Sequence, residues 1–156
     1  MARGWHLTID EWFYYHFNNE ELLPVTSKLF FSIFEVCDKI VLKRSTPLAQ
    51  KFHALVEASI MYPPKQRMAV QSLMRLFLQN SNKVEWIDDE MDLEEEIERQ
   101  LPRHDVYLVK MCLQTTDRIF VTTDRKLHDA ILALKAVLNI EVHLADDFMK
   151  LYPSIK

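Results

Sequence analysis

The stretch Arg118-Ile119-Phe120-Val121-Thr122-Thr123-Asp124 decides the fold. It is a short apolar run, rich in β-branched residues and closed by a carboxylate, as expected of a strand buried on both faces of a parallel sheet. The helix predicted before it opens with a second acid, in His104-Asp105-Val106-Tyr107-Leu108-Val109. A helix from about Asp105 to Thr116 travels roughly 16–18 Å, and a strand of about six residues returns nearly as far. Asp105 and Asp124 are therefore expected on one edge of the sheet. With a first strand over His6-Leu7-Thr8-Ile9, Asp10 falls at its carboxyl end, the edge where open α/β sheets place their ligand sites. Three acids from distant parts of the chain then converge, which is how a divalent-cation site is built.

Outward from this stretch, helical and strand periods alternate without an internal repeat or a low-complexity linker, which favours α/β. Leu22 to Cys37 reads as a helix through Leu29, Phe30, Ile33, Phe34 and Cys37, followed by a second strand at Ile40-Val41-Leu42. Ser45-Thr46 caps the next helix, with Pro47 in its first turn, and Phe52, Leu55, Val56 and Ser59 share one face. Pro63-Pro64 ends it. A helix over Gln66–Gln79 follows, through Ala69, Leu73, Leu76 and Phe77. Lys83 to Ile87 alternates as a third strand, and Asp92 to Arg99 forms a short acidic helix. Lys126 to Leu138 reads as one amphipathic helix, Ile140 to Leu144 as a fifth strand, and Asp146-Asp147 opens a terminal helix ending near Pro153. Right-handed crossovers then give a three-layer α/β/α sandwich on a five-stranded, mostly parallel sheet of order 3-2-1-4-5, with Asp10 and Asp124 flanking the switch point.

At 156 residues, with 49% of them hydrophobic, the chain suits one domain spanning residues 1–156. Its apolar runs are broken well short of the roughly 20 residues a membrane span needs, and Met1-Ala2-Arg3-Gly4-Trp5-His6 lacks the apolar run of a signal peptide. The expectation is a cytoplasmic protein without a membrane partner. Cys37 and Cys112 each fall among apolar residues of a predicted helix and read as reduced core thiols. The formal net charge of −4 does not advertise a nucleic-acid binder. Charge is uneven, however, with an acidic run from Asp88 to Glu98 and basic groups at Lys39-Lys43-Arg44-Lys51, Lys65-Arg67-Arg75 and Arg118-Arg125-Lys126. A single glycine removes phosphate-cradling loops and dinucleotide fingerprints from consideration.

Three carboxylates held close together repel one another, and a fold tolerates them if they protonate, stay wet or bind a cation. Oxygen-only ligation fits Mg²⁺ or Mn²⁺, and such an ion promotes in-line attack on a phosphodiester. Taken singly, each acid has a plainer reading: Asp105 and Asp124 as helix caps, Asp10 as a loop residue.

Leu7-Thr8-Ile9-Asp10, His104-Asp105 with the helix to Cys112, and Ile119 to Leu127 around Asp124 together resemble the acidic blocks of PIN-domain ribonucleases, over nearly the whole chain. The resemblance implies a Mg²⁺- or Mn²⁺-dependent endonuclease that cuts single-stranded or structured RNA, leaving a 5′-phosphate and a 3′-hydroxyl. It implies Asp10, Asp105 and Asp124 as catalytic metal ligands and, often, a homodimer. Members of the family include toxins paired with an antitoxin protein and RNA-processing factors. Two departures stand out. Glu11-Trp12 follows Asp10 where the family has Thr-Asn or Thr-Ser, and Gln50 stands near a position that the family fills with Glu. Gln brings no charge, so Glu11 and Asp129 are candidates to compensate, although strand geometry continued past Asp10 would point Glu11 elsewhere.

Supporting roles remain open. Thr122 and Thr123 are candidates to orient water or phosphate, or are simply good strand residues. Arg125, Lys126, His104 and His128 are candidate RNA contacts. His6, His16, His53 and His143 lack metal-ligand spacing, and Glu35 and Glu57 read as solvent-facing. Trp12-Phe13-Tyr14-Tyr15 either stacks bases or packs the first helix. Two further function classes compete with the nuclease. One is a PIN-like domain without catalysis that binds RNA or protein. The other is a receiver-like signalling domain using Asp10-Glu11 and Asp88-Asp89, though Leu144-Ala145-Asp146 lacks the Lys that such a domain needs.

Overall fold

The computed structural model describes residues 4–155, and of residues 153–155 the backbone alone. Met1 to Arg3, part of the segment read above for a leader, lie outside the described residues. Strands β1 (His6–Ile9), β2 (Lys39–Leu42), β3 (Val84–Trp86), β4 (Ile119–Thr122) and β5 (Glu141–Leu144) form one sheet in the order β3-β2-β1-β4-β5. Every pairing is parallel, with Leu7 of β1 opposite Ile40 of β2 and Ile119 of β4. The central strands carry unbroken apolar runs because both of their faces are covered: Ile40, Val41, Leu42, Phe120 and Val121 are fully buried.

The crossovers are helical. Helices α1 (Trp12–Phe17), α2 (Leu23–Glu35), α3 (Pro47–Ala58) and α4 (Pro64–Leu78) precede β3, and α5 (Glu95–Arg99) and α6 (Val106–Leu113) precede β4. Helices α7 (Arg125–Ala133) and α8 (Lys135–Leu138) lead to β5, and α9 (Ala145–Ile155) follows it. Helix α6 lies against β1 and β2, and α7 against β4 and β5, whereas α1 to α4 pack with one another. The first four helices are joined by phenylalanines: Phe13 and Phe52 stack with centroids 4.0 Å apart, and Phe30 meets Phe77 edge-on at 5.2 Å. Each such pair contributes about 0.5–1.5 kcal/mol beyond its burial. The aromatic run after Asp10 is thus divided, with Trp12 and Phe13 in the core and Tyr15 exposed.

Local chemistry set several boundaries differently from the periodicity. Helix α6 stops at Leu113 rather than Thr116 because Thr115 turns its hydroxyl back to the Cys112 carbonyl (2.7 Å) and accepts the Arg118 amide (3.1 Å). Arg118 then takes a left-handed backbone, φ 50°, to enter β4. The helix predicted over Lys126–Leu138 is interrupted at Leu134, whose amide bonds the Ile131 carbonyl three residues back. Leu127, Ile131, Leu134 and Leu138 nonetheless keep one buried stripe. In α4 the buried stripe is Val70, Leu73, Met74 and Phe77, and Ala69 faces solvent. Helix α9 continues past Pro153 to Ile155. Cys37 is exposed, not a core thiol, because α2 ends at Glu35 and the chain turns to extended backbone at Val36; Cys112 is buried, and both are free.

The amino-terminal approach to the sheet explains the one glycine. A Cβ on Gly4 would lie 2.1 Å from the Cys37 carbonyl oxygen, where the chain entering β1 runs beside the chain entering β2. Close by, the buried Asp38 accepts the Trp5 amide at 2.7 Å and the Tyr152 hydroxyl of α9. Gly4→Ala must push backbone from backbone, so it is expected to destabilise the protein by about 1–3 kcal/mol, read as a lower thermal midpoint. An unchanged midpoint would mean that this approach is loose.

Candidate active site

Asp10 directly follows β1 and is 8% exposed. Its Oδ1 accepts the Trp12 amide at 3.0 Å, and its Oδ2 accepts the Thr122 hydroxyl. The same Thr122 oxygen accepts the Asp124 amide at 3.0 Å, so one buried side chain at the end of β4 fastens two of the acids. The Trp12 indole donates to the Val121 carbonyl at 3.1 Å, which holds α1 against this end of β4. Asp124 is the N-cap of α7: its Oδ1 accepts the Lys126 and Leu127 amides at 2.9 and 3.3 Å. Asp105 ends the 3₁₀ turn Arg103–Asp105 and precedes α6, yet its side chain makes no capping bond. The plain reading of Asp105 as a cap is therefore not met, whereas Asp124 does cap its helix.

Electrostatics links these groups. Burial pushes the Asp10 carboxyl up to about 6 against the lowering pull of its Thr122 and Trp12 bonds, and Asp105 and Asp124 add repulsion. The Asp105 carboxyl is also raised, first by burial and then by Asp124 and Glu11, with His104 acting in the opposite sense. Glu11 belongs to the group because strand geometry does not continue past Asp10. Its backbone is already helical, φ −73° and ψ −1°, as the first residue before α1. The Tyr107 hydroxyl donates to Glu11 at 3.2 Å and accepts the Leu48 amide in the first turn of α3 at 3.1 Å. Tyr107 was not among the sequence candidates. Its position two residues after Asp105 was the available signal, but only packing brings it to α3.

Other candidates lie apart. Asp129 pairs with its neighbour His128 at 2.9 Å with its side chain 75% exposed, and it is not among the carboxylates that act on Asp10 or Asp105. Gln50 is exposed in the first turn of α3. Thr123 is exposed and lines a separate cavity of about 230 Å³ with Arg125, Asp146 and Lys150. Arg125, Lys126 and His104 are exposed beside the acidic edge. The receiver-like arrangement fails on topology: β1 sits between β2 and β4, so Asp88 and Asp89 follow a strand at the sheet's far side, where Asp88 pairs with Arg44 at 2.7 Å.

Among the described residues, no three His, Cys, Asp or Glu side chains enclose an ion as they stand. The carboxylates are near enough to repel but not drawn around a common centre. Their chemistry still suits a hard cation: the donors are all oxygens, and a carboxylate oxygen that accepts one hydrogen bond keeps a lone pair for a second partner. No family model, curated protein or solved structure matches this chain. No helix among the described residues is long and apolar enough to cross a membrane.

Proposed function

We propose that this protein is a PIN-like, Mg²⁺- or Mn²⁺-dependent endoribonuclease whose acidic site is Asp10, Asp105 and Asp124, with Glu11 taking the place of the acid missing at Gln50. The observation that carries the reading is the gathering of these four carboxylates from β1, α6 and β4 at the carboxyl edge, at the switch point between β1 and β4. A bound divalent ion supplies Lewis acidity for attack on the phosphodiester and lessens the repulsion among the acids. The chain's own groups hold that arrangement. Thr122 orients Asp10 by donating its hydroxyl to the carboxylate; Tyr107 orients Glu11; the α7 amides fix Asp124 through one oxygen and leave the other to a ligand. Arg125, Lys126 and His104 are exposed and supply cationic or donor groups for RNA phosphates in this reading. Two free thiols fit a reducing cytoplasm.

A second reading, an RNA- or protein-binding domain without turnover, draws on the exposed, uncharged Gln50. One experiment separates the two. End-labelled single-stranded RNA is incubated with wild type and Asp105→Asn, in Mn²⁺, Mg²⁺ or chelator, and product ends are mapped. Metal-dependent cleavage leaving 5′-phosphates, lowered at least ~100-fold by Asp105→Asn with its folding intact, is the expected outcome. Equal or absent cleavage by both folded proteins moves the assignment to the binding domain.

A further inference from the structure

The acidic run Asp88 to Glu98 holds eight carboxylates and no basic residue, in a chain of net charge −4, so the rest of the chain is net +4. That cationic remainder has a focus. At the carboxyl end of β2, a cleft of about 340 Å³ is lined by Lys43, Arg44, Thr46, Glu90, Tyr107 and Lys110, among others. It adjoins the acidic site, because Tyr107 forms its wall while bonding Glu11. Each of its three cations is occupied by the acidic run: Lys43 by Glu90 at 2.6 Å, Arg44 by Asp88 at 2.7 Å, and Lys110 by Glu98 at 3.3 Å.

The pairs around the two lysines are lopsided. The Lys43 and Lys110 side chains are 18% and 25% exposed, built into the wall, whereas their partners Glu90 and Glu98 are 86% and 39% exposed. Residues 87–94 form neither helix nor strand and are anchored by the partly buried Met91 and Leu93. Ion pairs of this exposure contribute little each and are screened by salt. The wall is fixed, whereas the charged contacts of its covering, which Met91, Leu93 and a Lys43 bond to the Asp89 carbonyl hold in place, are weak. The Arg44 guanidinium also lies 4.6 Å over the Trp86 ring, a flat platform of the kind on which nucleic-acid bases stack.

We infer that the cleft of Lys43, Arg44 and Lys110 is the track for the phosphates of a single-stranded RNA leading to the acidic site, and that segment 88–98 is a displaceable acidic strap that occupies it in the free protein. This deepens the nuclease reading and rests on it for the identity of the strand. Evenly spaced phosphates compete for the same three cations as the strap, so the strap sets a threshold that only a polyanion long enough to engage all three overcomes.

The test measures RNA affinity by fluorescence anisotropy in chelator, where no cleavage intervenes. The triple variant D88N/E90Q/E98Q is compared with D92N/E94Q/E96Q, which removes equal charge from exposed residues of the same segment outside these three pairs. Freeing three cations is expected to tighten binding at least ~10-fold at 0.1 M salt and to steepen the salt dependence of log K by about 2, the release expected for three added phosphate contacts. Adding Lys43→Gln and Lys110→Gln to the freed variant is expected to reverse both changes. Equal gains from the two triple variants would reduce the effect to net charge and overturn the track. Competition by a poly-glutamate peptide as effective as RNA of the same charge would assign the cleft to an acidic protein and also overturn it. Metal-dependent cleavage with strap-independent binding would leave the nuclease standing without the track; strap-dependent binding without cleavage would do the reverse.

Discussion

In chelator above pH 6, Asp10→Asn is expected to unfold at a higher temperature than wild type while losing metal-dependent cleavage. The folded protein keeps the Asp10 carboxyl at about 6 against an ordinary 3.8, so the native state holds this proton more tightly than the unfolded chain. Stability linked to the group is complete below pH 3.8, declines as pH rises, and is gone above pH 6. A shift of this size corresponds to about 3 kcal/mol at neutral pH, or roughly 6–12 °C for a chain of this length. Asn removes the charge and keeps the shape, and the Thr122 hydroxyl can turn to accept from the new amide. The gap between variant and wild type should close as pH falls towards 4. Adding Mn²⁺ at pH 7.5 should raise the wild-type midpoint and leave Asp10→Asn unmoved. Parallel melting curves across pH 4–8 would show that Asp10 is not held in a desolvated, repulsive setting, and the cation site would lose its strongest support.

Asp124→Asn is expected to separate two roles that one side chain performs. The Asp124 oxygen caps α7 through the Lys126 and Leu127 amides, and Asn caps a helix about as well as Asp. Stability should therefore change little, by less than about 1 kcal/mol, or a midpoint shift under about 4 °C. Cleavage should fall at least ~100-fold, because the charge and one ligand oxygen are lost. Asp124→Ala would lose the cap as well and add about 1 kcal/mol of destabilisation. If Asp124→Asn cleaves RNA like wild type, the residue is a cap alone, and a site resting on Asp10, Asp105 and Glu11 would have to be reconsidered.

The strand order, which puts Asp10 and Asp124 at the ends of neighbouring strands, was legible in the chain. Apolar runs such as Ile119 to Val121 have a single comfortable environment, a parallel sheet covered on both faces, and right-handed crossovers leave few ways to arrange five of them. The cap at Thr46 with Pro47 in the first turn was equally local and appears as read, with Thr46 accepting the Ala49 amide. Helix ends were less legible. Thr115 halts α6 with its own hydroxyl, and periodicity does not register that competition. Cys37 was misplaced for a related reason: an apolar neighbourhood in sequence does not reveal where a helix stops.

What the sequence determined alone is the layout: which segments become strands, their order, and which acids reach the carboxyl edge. These follow from burial and chain geometry, which act on every residue of a segment together and so survive errors at its ends. Only the tertiary structure decided that Glu11 joins the acids while Asp129 does not, that Tyr107 links Glu11 to α3, and that the acidic run lies on Lys43, Arg44 and Lys110. Each of these depends on the direction of one side chain, and several on partners far away in the chain, such as Arg44 with Asp88, 44 residues apart, and Tyr107 with Glu11, 96 apart. Directions of that kind are set by packing, which hydrophobic spacing does not encode.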